Sequence, residues 1–486
     1  MTPTKLKMEF LSMGYVTPRP TEMQRRPMNR LVHIGLIGLI LFGTSDRVVA
    51  VVPRGASDES AAENAIDLSS AAAHESRATH FSYTIRISGT LRTPAKDGEA
   101  PWDLASTAAF EFDQQRYASD ANGSRSLRAA RRFRVAETNS TIGKDHRNQI
   151  SLPEQSRLIY LYGTELSLTQ ISPDVRLTRE QVDLLQFPCD PLIALGLLPD
   201  RKLASRTEKW NAAPWVVPML TGIETPVRQE ATCSLKSIDA MTAVIDFRCS
   251  SAGAVTGSST EVEVTGQMTF DRGLREIRDL KATLKEKRKA GTVSPGLDVV
   301  AEIAWMQTEA AGADLPASIP AAEPDARQQL LTLVTPWRIL MLHDRNWFVF
   351  HETNDLVMLR MLHQGALVAQ CNISSAPLLA PGSFTPEDKF LQEVEKAVIE
   401  RGGVITGSDV IPDRNGWRIQ RVRARGEANQ KELLWDYYLC GAANGEQISL
   451  VFSHAAEDAR IFEGKADQFL NSLTTRSSRP KIALPR

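Results

Sequence analysis

Glu261–Gly273 reads EVEVTGQMTFDRG, and its pattern decides the class of fold. Val262, Val264, Gly266, Met268 and Phe270 alternate with Glu261, Glu263, Thr265, Gln267 and Thr269, the period of two of a strand that buries one face. Asp271-Arg272-Gly273 then supplies a turn. Beyond the turn Leu280, Ala282 and Leu284 keep the same period, and Val299, Ala301, Ile303 and Trp305 close the run. Far upstream, Phe81, Tyr83, Ile85 and Ile87 alternate with Ser82, Thr84, Arg86 and Ser88. Strands joined by short turns pair antiparallel. Between these runs Leu177–Leu198 (LTREQVDLLQFPCDPLIALGLL) predicts a helical insertion, capped by Thr178 with Glu180 in its first turn and broken at Pro188 and Pro191. Residues 79–307 therefore read as a β-rich domain, antiparallel and open to curvature into a half-barrel.

Thr308–Arg327 is rich in Ala and Pro and reads as a linker over 308–327. Residues 328–475 then hold dense strands separated by short turns at 344–346, 353–355 and 363–365. A helix is expected from Thr385 as N-cap with Pro386 in its first position. Phe390, Leu391, Val394, Ala397 and Val398 form its single apolar stripe, and Gly402-Gly403 ends it. After three more strands a last helix places Phe462, Ala466, Phe469, Leu470 and Leu473 on one face. One stripe per helix means that each lies on a sheet, so this part reads as an α/β sandwich on an antiparallel sheet. The class of the whole is α+β, and residues 476–486 are a tail.

Near the start, Leu31–Phe42 is twelve uncharged residues behind Arg25, Arg26 and Arg30, the layout of a signal peptide. As helix it would rise about 18 Å against a hydrocarbon core of about 30 Å, which is short for a membrane span. The small residues at Val48-Val49-Ala50 place cleavage after Ala50, with Met28 as an alternative true start. Residues 51–78 are rich in Ala, Ser and acid and read as a disordered tether. These features predict a periplasmic or secreted protein that is not an integral membrane protein after cleavage. The formal charge of −1 over 486 residues falls to −5 once the seven basic and three acidic residues of 1–50 are removed. Nothing in that balance favours nucleic acid as a partner.

Export lets cysteines form disulfides. Cys233 and Cys249 flank a turn near Asp239-Ala240 almost symmetrically, which predicts a bridge between them closing roughly 17 residues and contributing about 3 kcal/mol. Cys371 and Cys440, both in strand-like segments, are expected to form a second bridge, with Cys189 left as a buried thiol.

Trp435-Asp436-Tyr437-Tyr438-Leu439, Asn444-Gly445, Leu450-Val451-Phe452 and the helix after Ala455 close a layout in which a helix opened by Thr385-Pro386-Glu387-Asp388 precedes a three-strand meander. That layout resembles the PsbP-like superfamily, whose members are mostly accessory or binding proteins without catalytic activity. Lys285-Glu286-Lys287-Arg288 followed by Gly291-Thr292-Val293-Ser294-Pro295-Gly296-Leu297-Asp298-Val299 resembles a group of exported bacterial proteins of unknown function. A curved sheet of the lipoprotein-carrier (LolA-like) type is a looser resemblance.

No nucleophile elbow, phosphate loop, dinucleotide fingerprint or zinc-binding His-Glu-x-x-His helix occurs. His343, His351 and His363 are spaced as turn-flanking surface residues, so no metal or other cofactor is expected. His454 reads as part of the last helix's first turn. Two basic runs are candidate anion-binding surfaces: Arg128, Arg131 and Arg132, and Lys285, Lys287 and Lys289. The second run, with no apolar residue from Lys285 to Lys289, is expected to project into water on both faces or to line a wet groove. Trp210 and Trp215, in a Pro-bounded loop, are candidate ligand contacts. The reading that follows is an exported, non-enzymatic binding or accessory protein whose first domain holds an apolar ligand or lipid. The alternatives are a hydrolase of an envelope polymer, which calls for a pocket with two carboxylates or a His beside Asp/Glu, and a scaffold with two interaction surfaces.

Overall fold

The computed structural model describes residues 65–70, 77–92, 101–118, 127–164, 167–310, 312–428 and 430–475. The expected signal segment, the start at Met28, most of the 51–78 tether and the 476–486 tail lie outside the described residues. The chain divides into two compact units between Gln329 and Leu330.

The first unit contains β1 (Thr79–Arg92), β2 (Trp102–Tyr117), β3 (Leu127–Ile142), β4 (His146–Ser151), β5 (Leu158–Gly163), β6 (Leu168–Ile171), β7 (Lys209–Asn211), β8 (Arg228–Ile238), β9 (Thr242–Val255), β10 (Ser258–Asp271), β11 (Glu276–Arg288) and β12 (Gly296–Glu309). They form one 12-stranded sheet in the order β6-β5-β3-β2-β1-β12-β11-β10-β9-β8-β7, with β4 paired to β3. All the pairings are antiparallel, most of them between neighbours in sequence, and β12 returns to pair with β1 from Thr79↔Glu309 to Arg92↔Gly296. The order ends at β6 and β7, so the sheet is open. Phe81, Tyr83, Ile85 and Ile87 are buried while Ser82, Thr84 and Arg86 are exposed, so one face of the sheet is covered. Gly266 breaks the apolar run of β10 for a steric reason: a Cβ there would stand 2.5 Å from the Phe247 ring of the neighbouring strand.

The cover is the insertion, with α1 (Arg179–Leu185), α2 (Pro191–Ala194) and α3 (Val216–Thr221). Thr178 caps α1 in a reciprocal box with Gln181. Phe187 packs against Tyr83 and Phe110, with ring centroids 4.7 Å apart in each pair. The turn that follows is fixed from the sheet: Tyr83 Oη donates to Pro188 O, and Trp305 Nε1 donates to Cys189 O. Asp190 accepts both guanidinium nitrogens of Arg131 at 2.6 and 2.5 Å and also caps α2 through Leu192 N. Arg131 Nε donates to Gln114 Oε1 at 2.7 Å, and its guanidinium lies 4.8 Å from the Phe112 ring centre.

Two expected connectors are corrected. Ile66 pairs with Leu203 and Leu68 is fully buried, so residues 65–70 of the 51–78 segment are held against the first unit. The 308–327 stretch is no free linker: β12 extends to Glu309, and Ile319 is buried against Ala130 and Tyr162. Arg128 donates to Ile319 O and Pro320 O, Arg132 donates to Asp314 O, and Tyr117 Oη donates to Pro316 O. Its prolines leave carbonyls without competing N–H groups, and the β2 and β3 side chains use them.

The second unit contains β13 (Leu331–Val334), β14 (Ile339–His343), β15 (Trp347–Glu352), β16 (Leu356–His363), β17 (Ala366–Ala376), α4 (Glu387–Ile399), β18 (Val404–Arg414), β19 (Trp417–Ala428), β20 (Lys431–Ala442), β21 (Gln447–Ala455), α5 (Ala459–Phe462), α6 (Lys465–Ser472) and β22 (Thr474–Thr475). Its main sheet is β15-β16-β17-β21-β20-β19-β18, and β13-β14-β22 form a small second one. Alternate residues of β20 serve two cores: Trp435 and Tyr437 pack with Phe390 and Val394 of α4, and Tyr438 and Cys440 with Phe469 and Leu470 of α6. Two helix details differ from expectation. Thr385 gives its hydroxyl to Gln447 Oε1 instead of capping, so α4 starts after Pro386. Gly464, at φ 73°, divides the last helix into α5 and α6.

Replacing Arg131 by Met leaves the Asp190 carboxylate buried without its cation. Urea unfolding should show a loss of about 3–5 kcal/mol, with part of it recovered in R131M/D190L, because removing both charges also removes the desolvation penalty.

Candidate ligand site on the covered sheet face

Strand alternation splits the Lys285–Lys289 run in two. Lys285, Lys287 and Lys289 are exposed, whereas Glu286 and Arg288 point to the covered face and are 1% and 5% exposed. The expectation that the whole run faces water is therefore corrected, since a charged residue at every position still obeys the period of two. Glu286 stands between Val262 of β10 and Val299 of β12, and Arg288 between Thr260 and Leu297. Arg288 Nη2 and Glu286 Oε1 are 2.6 Å apart. Yet neither Glu286 oxygen nor any guanidinium nitrogen of Arg288 has a hydrogen bond of good geometry among the described residues. Burial lifts the Glu286 carboxyl to about 7, with Arg288 opposing. Glu224, also raised by burial, accepts from Thr256 N and lies within electrostatic reach of Arg288. The Ser258 and Ser294 hydroxyls, 2.9 Å apart, add polar atoms at the same end of the sheet.

The other candidates are consumed by the fold. Arg131 is held by Asp190, and Arg128 and Arg132 by the 308–327 strap, so they form no surface for an anion. Trp210 is 7% exposed with Nε1 donating to Leu197 O, which removes it as a ligand contact. Trp215 packs over Gly196, where a Cβ would meet its ring at 2.6 Å. His343 is buried, donates Nδ1–H to Asp344 O and stacks on Phe469. No group of His, Cys, Asp and Glu suited to a metal ion occurs among the described residues.

Neither expected disulfide is present; all five cysteines are free and buried. A bulge between Leu235 and Ser237 sets Cys233 opposite Phe247 and Cys249 opposite Ala231. Diagonal neighbours on one face lie about 7–8 Å apart at Cα, beyond the roughly 4.4–6.8 Å of a disulfide. Cys371 and Cys440 are on β17 and β20 with β21 between them, so about 9.5 Å separates their strands before the offset from Phe452 to Ile448 is added. The signals that sequence reasoning missed are Glu286, hidden inside a lysine run, and His454, which lies on β21 and not in a helix.

No family model matches the chain, and no curated protein matches it. Among solved structures, a protein of Bacteroides thetaiotaomicron is 10% identical over 31% of this chain and 50% of that one, with a TM-score of 0.24. A structure of lipovitellin described by its lipid–protein interactions is 8% identical over 50% of this chain and 27% of that one, at 0.28. A mutant porin of Rh. blastica is 5% identical over 78% of this chain and 99% of that one, at 0.11. The chain thus spans half of the first of these structures and about a quarter of the second. All three scores are too low to define a shared fold or ligand. No helix among the described residues is long and apolar enough to cross a membrane.

Two measurements follow. Burial pushes the Cys249 thiol up to about 12 and raises the other four as well, so a thiol reagent should be almost silent on the native protein and titrate all five after denaturation. A count below five would restore a bridge. Glu286, at about 7 folded against its ordinary 4.5, binds its proton more tightly in the native state. Its contribution is therefore full below about pH 4.5 and is lost as pH rises through about 7, roughly 3 kcal/mol across that window. Stability of E286Q relative to the parent should rise over the same interval, and parallel pH profiles would refute the assignment.

Proposed function

We propose that the chain is an exported, non-enzymatic binding protein, periplasmic or secreted. Its first unit takes an amphiphile with a carboxylate or phosphate head, the head at Arg288 and the apolar part along the covered sheet face. The observation that carries the reading is the Glu286–Arg288 pair, buried on an apolar sheet face, whose members approach each other at 2.6 Å and have no other hydrogen-bond partner among the described residues. Buried polar groups are normally satisfied, and a pair left this way costs free energy unless a ligand or water completes it. Protonation of Glu286 leaves Arg288 as a net positive charge in a low-dielectric setting, which suits an anionic head. The insertion then acts as the cover over the ligand. A curved half-barrel form of the first sheet, akin to lipoprotein carriers, and a PsbP-like sandwich for the second unit belong to the same proposal.

Dodecanoate binding to the full chain tests it. Affinity should be higher below than above about pH 7, and R288M should weaken it by about tenfold or more while leaving the circular dichroism unchanged. Native mass spectrometry should also find a co-purifying amphiphile. Absence of both the bound amphiphile and dodecanoate binding would end the proposal.

A further inference from the structure

We propose that the second unit is a separate receptor for a zwitterion, an α-amino acid or short peptide with an apolar side chain, held between β19–β21 and α5. A cleft of about 500 Å³ opens there, lined by Arg423, Leu434, Asp436, His454, Arg460 and Glu463. That volume lies within the roughly 300–1,000 Å³ of small-molecule sites. The proposal does not depend on the first unit's ligand.

The charges in this cleft are arranged against mutual neutralisation. Arg423 and Asp436 are direct cross-strand partners on one face, where opposite charges ordinarily meet. They form no ion pair. The Arg423 guanidinium leans the other way, over β18, where Gly407 has no side chain to obstruct it: a Cβ at Gly407 would already lie 3.4 Å from Arg423 Nη2. Arg421, the next cation on the same face, is committed to Asp409 through two bonds of 3.0 and 2.6 Å, so it does not serve Asp436. Arg460 and Glu463, on and just after α5, are exposed at the rim and make no ion pair among the described residues. The cleft thus keeps cations and carboxylates apart on its walls.

His454 completes the amine side. It is 4% exposed, stacks on Phe462 with centroids 4.4 Å apart, and its Nδ1 faces Ala455 O at 2.9 Å. A carbonyl only accepts, so Nδ1 carries the proton that faces it and Nε2 is the ring nitrogen left for a ligand. His454 is opposite Leu434 and therefore diagonal to Asp436 on the same face. The Asp436 carboxyl, with the His454 ring diagonal to it, suits an ammonium group. Two arginines suit a carboxylate, which guanidinium groups bind with directed hydrogen bonds. Leu434, opposite His454 and lining the same cleft, supplies the apolar contact. Burial holds the Asp436 carboxyl above its ordinary range, against His454, Arg421 and Arg423, which fits a site that gains from an incoming cation.

Calorimetric titration of the full chain with L-leucine, N-acetyl-L-leucine and L-leucinamide tests the proposal. L-leucine should bind, and each blocked analogue should bind at least about tenfold more weakly. D436N should abolish the preference for L-leucine over the N-acetyl form, and R423Q/R460Q the preference over the amide. Both variants alter side chains that contact solvent in the cleft, and unchanged circular dichroism shows that they fold. No binding of L-leucine, equal binding of the three compounds, or preferences that survive both variants would overturn it.

Discussion

The pair between Arg131 and Asp190 is the constraint on which the first unit depends. An open antiparallel sheet with one apolar face must be covered, and the cover here is a short, Pro-broken segment with little regular structure of its own. Such a segment carries unpaired backbone groups, which are costly over an apolar surface. The sheet resolves this by reaching up. Arg131 takes Asp190 in two parallel bonds, Tyr83 takes Pro188 O, and Trp305 takes Cys189 O. Cys189 adopts φ 54°, a left-handed conformation that a non-glycine residue holds only when its surroundings fix it. Three side chains from three strands on consecutive residues of one turn are such surroundings. Asp190 then passes the restraint on by capping α2.

The part of this architecture legible in the sequence is the part governed by period. The alternation in Phe81–Ile87 and Val262–Phe270 located strands and their buried faces because side chains on a strand point to opposite sides whatever their chemistry. The cover's first helix was legible through Thr178, and α4 through its stripe. Features that depend on a single added residue or on a backbone acceptor were not. The register of the β8–β9 hairpin, shifted by one residue at a bulge in β8, sets Cys233 opposite Phe247, two residues from Cys249. The 308–327 stretch has the composition of a linker, and only the carbonyls that Arg128, Arg132 and Tyr117 find in it make it part of the first unit.

The candidate sites were obscured for a related reason. Charge dominates the reading of Lys285–Lys289, which suggests water or a wet groove for every position, although the period of the preceding Leu280, Ala282 and Leu284 runs straight on to Glu286 and Arg288. In the second unit, Asp436 sits in a run of large apolar and aromatic residues whose alternation is masked because β20 has a core on each face. Its partner across the cleft, His454, comes from the end of a strand that the sequence suggested was already the approach to a helix.

Two buried ion pairs of the first unit allow structural and ligand-facing roles to be separated on physical grounds. Arg131 spends Nε on Gln114 and both terminal nitrogens on Asp190, and rests against Phe112 and Phe187; little remains for anything else to add. Arg288 is as deeply buried but shares only a close approach to Glu286, and that carboxyl is itself lifted to about 7 by its surroundings. Both pairs bear the desolvation penalty of a buried charge, which falls only when hydrogen bonds replace those of water. Arg131 has that replacement within the chain. Among the described residues Arg288 has only the close approach to Glu286 in place of that replacement. Burial alone therefore does not separate the two arginines; hydrogen-bonding capacity left over does.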